Sequence, residues 1–203
     1  MVRISIGETK YKVPNNFVEL SIGKYQELSV VKDENKIKMI IEFLTILTGL
    51  ELDVIKNLKL TDIKKLTSSF NFKLSKDYPL VQAVKIKGKT YRLDEKLNNM
   101  RFDMFIDLEE MTKDKDLVID NLHLIMAILY RPAIKKMFRK KLLVEDYDSE
   151  SVIERAEFFK ENLMMDKVVG ALFFFINLRT TYIADLVDYL GQEKEKKEKV
   201  EKN

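Results

Sequence analysis

Side chains able to do chemistry are few in this chain, and they are scattered. His123 is the only histidine, set in the apolar stretch Leu122-His123-Leu124-Ile125-Met126. General acid–base work would require its ring to reach a reacting group and to be oriented, most often by a carboxylate. Its apolar setting makes it read as a packing histidine. Carboxylates gather at Glu109-Glu110, at Asp114 with Asp116, and at Asp146, Asp148 and Glu150. Oxygen-rich loops can hold hard cations, but these lack the central glycine and closing glutamate of an EF-hand. Helix capping and solvated surface account for them. The absence of cysteine excludes disulfides, thiolate metal sites and a cysteine nucleophile. None of the six glycines forms a phosphate-binding or dinucleotide fingerprint. The sequence therefore assigns no catalytic residue, no cofactor and no metal ligand.

Lys135, Lys136, Arg139, Lys140 and Lys141, with Arg131 just upstream, make the one concentrated positive patch, interrupted by Met137 and Phe138. Such a patch can neutralise nucleic-acid phosphates or meet an acidic protein. The formal charge is only +3, from 36 basic and 33 acidic residues. That balance, and the apolar residues inside the patch, favour protein contact or a solvated helix face over nucleic acid.

Aromatic residues call for more explanation. Phe158 and Phe159, Met164 and Met165, and the run Leu172-Phe173-Phe174-Phe175-Ile176 are densely apolar. Consecutive helical positions lie about 100° apart, so Phe173, Phe174 and Phe175 fall on several faces at once. One face can enter a core; another must be covered by the rest of the chain or by a partner subunit. Phe158, Phe159, Phe173, Phe174 and Phe175 are the interface candidates.

The elements that must position these residues show an internal recurrence. Ile4 and Ile6, then Tyr11 and Val13, match Val84 and Ile86, then Tyr91 and Leu93, at an offset of 80 positions, with Gly7 and Gly88 between them. Alternating apolar residues around a glycine-containing turn predict a β-hairpin at the start of each half. Leu20, Ile22, Tyr25 and Leu28 match Met100, Phe102, Phe105 and Leu108 at the same offset with helical spacing. A second helix is expected over Ile37 to Leu47 and over Leu117 to Leu129, stopped by Gly49 and by Tyr130-Arg131-Pro132. Asn57-Leu58-x-Leu60 then matches Asn162-Leu163-x-Met165, displaced by an insertion. A helix after that insertion is expected to start at Ser151 and Glu154, which have capping-box spacing.

The predicted fold is mainly α with small β-hairpins, an α+β protein built from a duplicated hairpin-plus-helices unit. The first repeat covers 1–78 and the second 79–191, with an insertion at 133–150; the charged tail is 192–203, whose Glu and Lys residues suit a continuing helix through i,i+4 pairs. The boundary is placed near Lys76 to Leu80, where Pro79 breaks structure. A duplicated unit can pack against its own copy about a pseudo-twofold axis, and the sequence leaves open whether these two halves share one core. The N-terminus alternates like a strand and lacks the pattern of a secretory signal. The longest apolar run, Val168 to Ile176, is less than half of the roughly 20 residues that span a bilayer, so no membrane insertion is expected.

Leu20-Ser21-Ile22-Gly23-Lys24-Tyr25-Gln26-Glu27-Leu28, Ile46-Leu47-Thr48-Gly49-Leu50, Ala127-Ile128-Leu129-Tyr130-Arg131-Pro132 and Gly170-Ala171-Leu172-Phe173-Phe174-Phe175, following a short hairpin, resemble virion and tail-assembly proteins of tailed bacteriophages. The nearest group is that of the crAss-like phages. This resemblance covers most of residues 1–190. It implies a non-enzymatic structural or assembly protein: a ring, connector, tail or cargo component, or a tail-assembly chaperone that never enters the virion. It implies other phage structural proteins or further copies of the chain as partners, and residence in the host cytoplasm during assembly or in the virion. A nucleic-acid-associated accessory protein using the basic patch is the alternative.

Overall fold

The computed structural model describes residues 2–6, 9–70, 78–94, 100–134 and 143–201. The chain is 62% helical with a small four-stranded antiparallel sheet, which is the expected mainly α class. It opens with β1 (Val2–Ile6) and β2 (Thr9–Val13), a 3-10 turn (Phe17–Glu19), and helices α1 (Ile22–Ser29), α2 (Lys36–Thr48), α3 (Leu52–Lys56) and α4 (Leu60–Ser69). Then come β3 (Ala83–Ile86), β4 (Lys89–Leu93), α5 (Phe102–Met111), α6 (Lys115–Asp120), α7 (Leu122–Leu129), β5 (Tyr130–Ile134), β6 (Leu143–Val144), α8 (Ser149–Asn162) and α9 (Met165–Glu201).

Both hairpins form, and in the same register: Ile4 lies opposite Tyr11, and Val84 opposite Tyr91. Equal register does not make the halves equivalent in packing. Ile22 is wholly buried, whereas Phe102, 80 positions on, is 72% exposed. Among the described residues the first hairpin forms a two-stranded sheet of its own, while the second belongs to a sheet ordered β3-β4-β5-β6. Part of the insertion expected at 133–150 belongs to that sheet. Ala133, Ile134, Leu143 and Val144 pair with one another, and Tyr130 to Pro132 pair with β4. In the two-residue loop between β3 and β4, Lys87 has φ 45 and Gly88 φ 84. Glycine takes such angles freely, but for lysine the left-handed region costs about 1–2 kcal/mol.

Helix ends follow local chemistry, with two corrections. Gly49 caps α2 in the left-handed conformation (φ 70), as its residue type allows. The helix expected to begin at Ser151 starts at Ser149, because the Asp148 carboxylate accepts from the amides of Glu150 and Ser151 (3.3 and 3.0 Å). The helix expected over Leu117 to Leu129 breaks at Asn121 into α6 and α7. A helix end leaves carbonyls without internal partners. Here Gln26 Nε2, from α1, donates to the carbonyls of Ile119 and Asp120, both at 2.7 Å.

α7 is the centre of the core: Leu122, Ile125, Met126, Ala127, Ile128 and Leu129 are all buried. It packs on α8, α5, α6, α9 and α1. Residues from both sides of position 78 enter one hydrophobic cluster, including Phe17, Leu20, Ile22 and Leu44 with Leu108, Ile128, Phe159 and Phe175. Backbone hydrogen bonds seal this join, from Ile22 N to Leu163 O (3.0 Å) and from Met165 N to Leu20 O (2.9 Å). The Tyr130 hydroxyl, on a fully buried ring, donates to Val81 O (2.6 Å) and holds the segment that leads into β3.

Candidate functional site

Several charged residues singled out in the sequence have structural work. Asp114 caps α6 by accepting from Leu117 N (2.8 Å), and Asp148 caps α8. Glu109 is chelated by Arg179 of α9, with Nη2 to Oε1 at 2.6 Å and a second bond from Nε to Oε2. These hydrogen bonds hold the Glu109 carboxyl below its ordinary value. Among the described residues, no three carboxylates or imidazoles converge as a metal site would need. Arg131 does not extend the basic patch: it is buried, donating to Glu145 O (2.7 Å) and pairing with Asp94 (2.9 Å). Lys135, Lys136, Arg139, Lys140 and Lys141 lie outside the described residues.

His123 sits where α1, α6, α7 and α8 meet. The Gln26 amide nitrogen that bonds the Ile119 and Asp120 carbonyls also lies 3.0 Å from His123 Nδ1. That nitrogen only donates and has two hydrogens to share among the two carbonyls and Nδ1, an arrangement that favours an unprotonated Nδ1. Burial, and secondarily Lys160, lower the histidine's pKa; Glu157, 4.0 Å from Nε2, opposes them. The folded state therefore binds a proton less readily than the unfolded chain, whose histidine titrates near 6.5. The contribution is complete above that pH and is lost as pH falls from there through the lowered folded value. Urea denaturation at stepped pH is expected to show this loss, and His123→Phe to flatten it in that window.

The aromatic candidates divide. Phe159 and Phe175, two of the interface candidates, are wholly buried in the chain's own core, so of the two covers considered it is internal packing that covers them. Phe158, Phe173 and Phe174 are half-buried against that core. The more exposed apolar surface lies elsewhere. On α5, Phe102 (72% exposed) and Ile106 (43%) are one helical turn apart. Beside them Phe105 packs against Tyr182 of α9 with ring centroids 6.2 Å apart. Arg179 with Glu109 and Tyr182 with Phe105 run the two helices antiparallel. Val187, further along α9, is 62% exposed, and the helix continues about 28 Å beyond Tyr182 to Glu201. Met165–Ala184 is long and apolar enough to cross a membrane by length and composition alone, with 28% of it buried inside the chain.

A second feature is a cleft of about 290 Å³ between the sheet and α8. Its lining includes Lys87, Lys89, Glu145, Glu154, Arg155 and Phe158. Arg155 faces inward because it shares the buried side of α8 with Val152, Ala156 and Phe159. Its Nε donates to Ala127 O (2.8 Å) and Nη1 to Ser151 Oγ (3.3 Å). Burial pulls the guanidinium below its ordinary pKa. The sequence reading missed Phe102, Ile106, Lys87 and Arg155, although an arginine in the 152-155-156-159 stripe and a Lys-Gly hairpin turn were both visible signals.

No protein-family model matches the chain, and no curated protein or solved structure matches it significantly.

Proposed function

We propose that this chain acts by binding other protein surfaces, as a structural or assembly component of a tailed-phage particle. The observation that carries the binding role is the apolar face of α5, Phe102 with Ile106, beside a helix that runs on past its last described core contact. Large exposed side chains clustered in this way mark interaction surfaces more often than isolated ones do. The phage setting is supported by the resemblance of the hairpin and helix segments. A virion component is the first reading, and an assembly chaperone absent from the particle the second.

Quantitative mass spectrometry of purified particles from the source genome separates these two. A fixed, substantial copy number is the expected result. Presence only in assembly intermediates would replace the virion role with the chaperone. The surface itself is tested by Phe102→Asp with Ile106→Asp. Both side chains are exposed, so the doubly substituted protein is expected to stay within about 1 kcal/mol of the parent's stability while incorporation into particles falls at least about tenfold, the effect of removing an interface anchor. Full incorporation of a folded double variant would remove this face from the proposal.

A further inference from the structure

The least conventional group in the fold is the Arg155 guanidinium. It is 8% exposed; its Nε and Nη1 donate to a carbonyl and a hydroxyl, and among the described residues opposite charge reaches it only through space, from Glu145 and Asp148. A buried charge ordinarily requires a partner. Arg155 lines the cleft together with Lys87, Lys89 and, on the acidic side, Glu145 and Glu154. Three cations against two carboxylates leave one net positive charge, enough for one added carboxylate and unfavourable for a polyanion. Phe158, Tyr91 and Pro132 supply apolar wall, and a volume near 290 Å³ holds one or two side chains better than a nucleotide.

Lys87 points the same way. Among the described residues it is the only one besides glycine with positive φ, at a turn position where asparagine or aspartate is at ease. Its ammonium lies 5.6 Å from the centre of the Phe158 ring, at the mouth of the cleft. Strain of this kind collects at functional sites.

We propose that this cleft is a docking site for a single glutamate or aspartate side chain on a partner's peptide segment, its carboxylate forked onto Arg155 and an adjacent apolar residue laid on Phe158. The proposal rests on the reading that the chain binds proteins, but it uses a face separate from Phe102 and Ile106. Carboxylate recognition by the planar guanidinium fork is geometrically specific.

The test is an NMR titration of the full chain following the Arg155 Nε–H signal. The probes are the peptide acetyl-Gly-Phe-Glu-Gly-amide, its Gln counterpart and inorganic phosphate, each carried into the millimolar range. The Glu peptide is expected to shift the signal saturably and the Gln peptide to leave it in place. Lys87→Asn should weaken the Glu peptide roughly threefold while leaving the melting temperature equal or higher, because asparagine tolerates the left-handed turn. Arg155→Lys, if folded, should weaken it about tenfold or more. Equal shifts from the Glu and Gln peptides, no effect of Lys87→Asn, or tighter binding of phosphate than of the Glu peptide would each overturn the proposal. Because Phe102→Asp with Ile106→Asp leaves this cleft intact, the double variant should titrate like the parent even if its own surface proves inert.

Discussion

Phe159→Ala is expected to lower the unfolding free energy by about 3–5 kcal/mol, a large part of the 5–15 kcal/mol typical of a domain. Phe159 is fully buried. Its ring stands edge-on to Tyr91 of β4, with centroids 4.9 Å apart, and its carbonyl accepts from Leu163 N (2.9 Å) at the end of α8. It thus joins the helical layer to the sheet, next to the backbone seam where Leu163 receives Ile22. Truncation leaves a cavity that neither the helix end nor the strand can close without breaking those hydrogen bonds. Phe158→Ala, one residue earlier, removes a half-buried ring and should cost distinctly less, while stripping the apolar wall from the cleft. Urea denaturation of the two variants checks the order. Equal losses would mean that Phe159 is not the buried member of the pair.

The same pair shows what was legible in the sequence. Both phenylalanines stood out by composition, but their separation into a core residue and a surface-accessible one depends on β4, which lies more than 60 positions away. Local signals were read correctly where the cause is local: the alternating strands at Val84 and Tyr91, and the left-handed cap at Gly49. What failed was anything fixed by distant partners. Tyr130–Ile134 becomes a strand because β4 offers a free edge, not because of its own pattern, and its proline argued against that. The helix expected across Asn121 breaks because Gln26 from the first half takes over two of its carbonyls. Phe174, singled out as an interface residue, is half covered by core, so Phe174→Asp would test folding before it tested binding. Phe102 carries the exposed surface instead. By spacing it was the counterpart of Ile22; Ile22 is roofed by the α8–α9 junction, and Phe102 is left open.

Gly170 gives the sharpest steric expectation. It lies on α9 inside the longest apolar run, where alanine should by helix propensity be better by about 1 kcal/mol. Here the opposite is expected. A Cβ at Gly170 would sit 2.8 Å from the carbonyl carbon of Pro79 and 3.0 Å from the carbonyl oxygen of Tyr78, with the Pro79 oxygen closer still. The obstruction is backbone, and that backbone is held from both sides. Tyr78 stands edge-on to the buried Phe17 ring with centroids 6.0 Å apart, and the carbonyl of Val81 is held by the Tyr130 hydroxyl at 2.6 Å. Neither anchor yields cheaply, so Gly170→Ala should destabilise by about 1–3 kcal/mol, the usual range for overpacking. Gly23→Ala is the matched control, since its Cβ would meet Lys160 Cγ and carbonyl oxygen at 3.1 Å, a tight contact that a few tenths of an ångström relieve. Thermal melts should rank Gly170→Ala below Gly23→Ala. A Gly170→Ala protein that melted at or above the parent would show that Pro79, expected from sequence to part the two halves, is not pressed between α9 and the rest of the core.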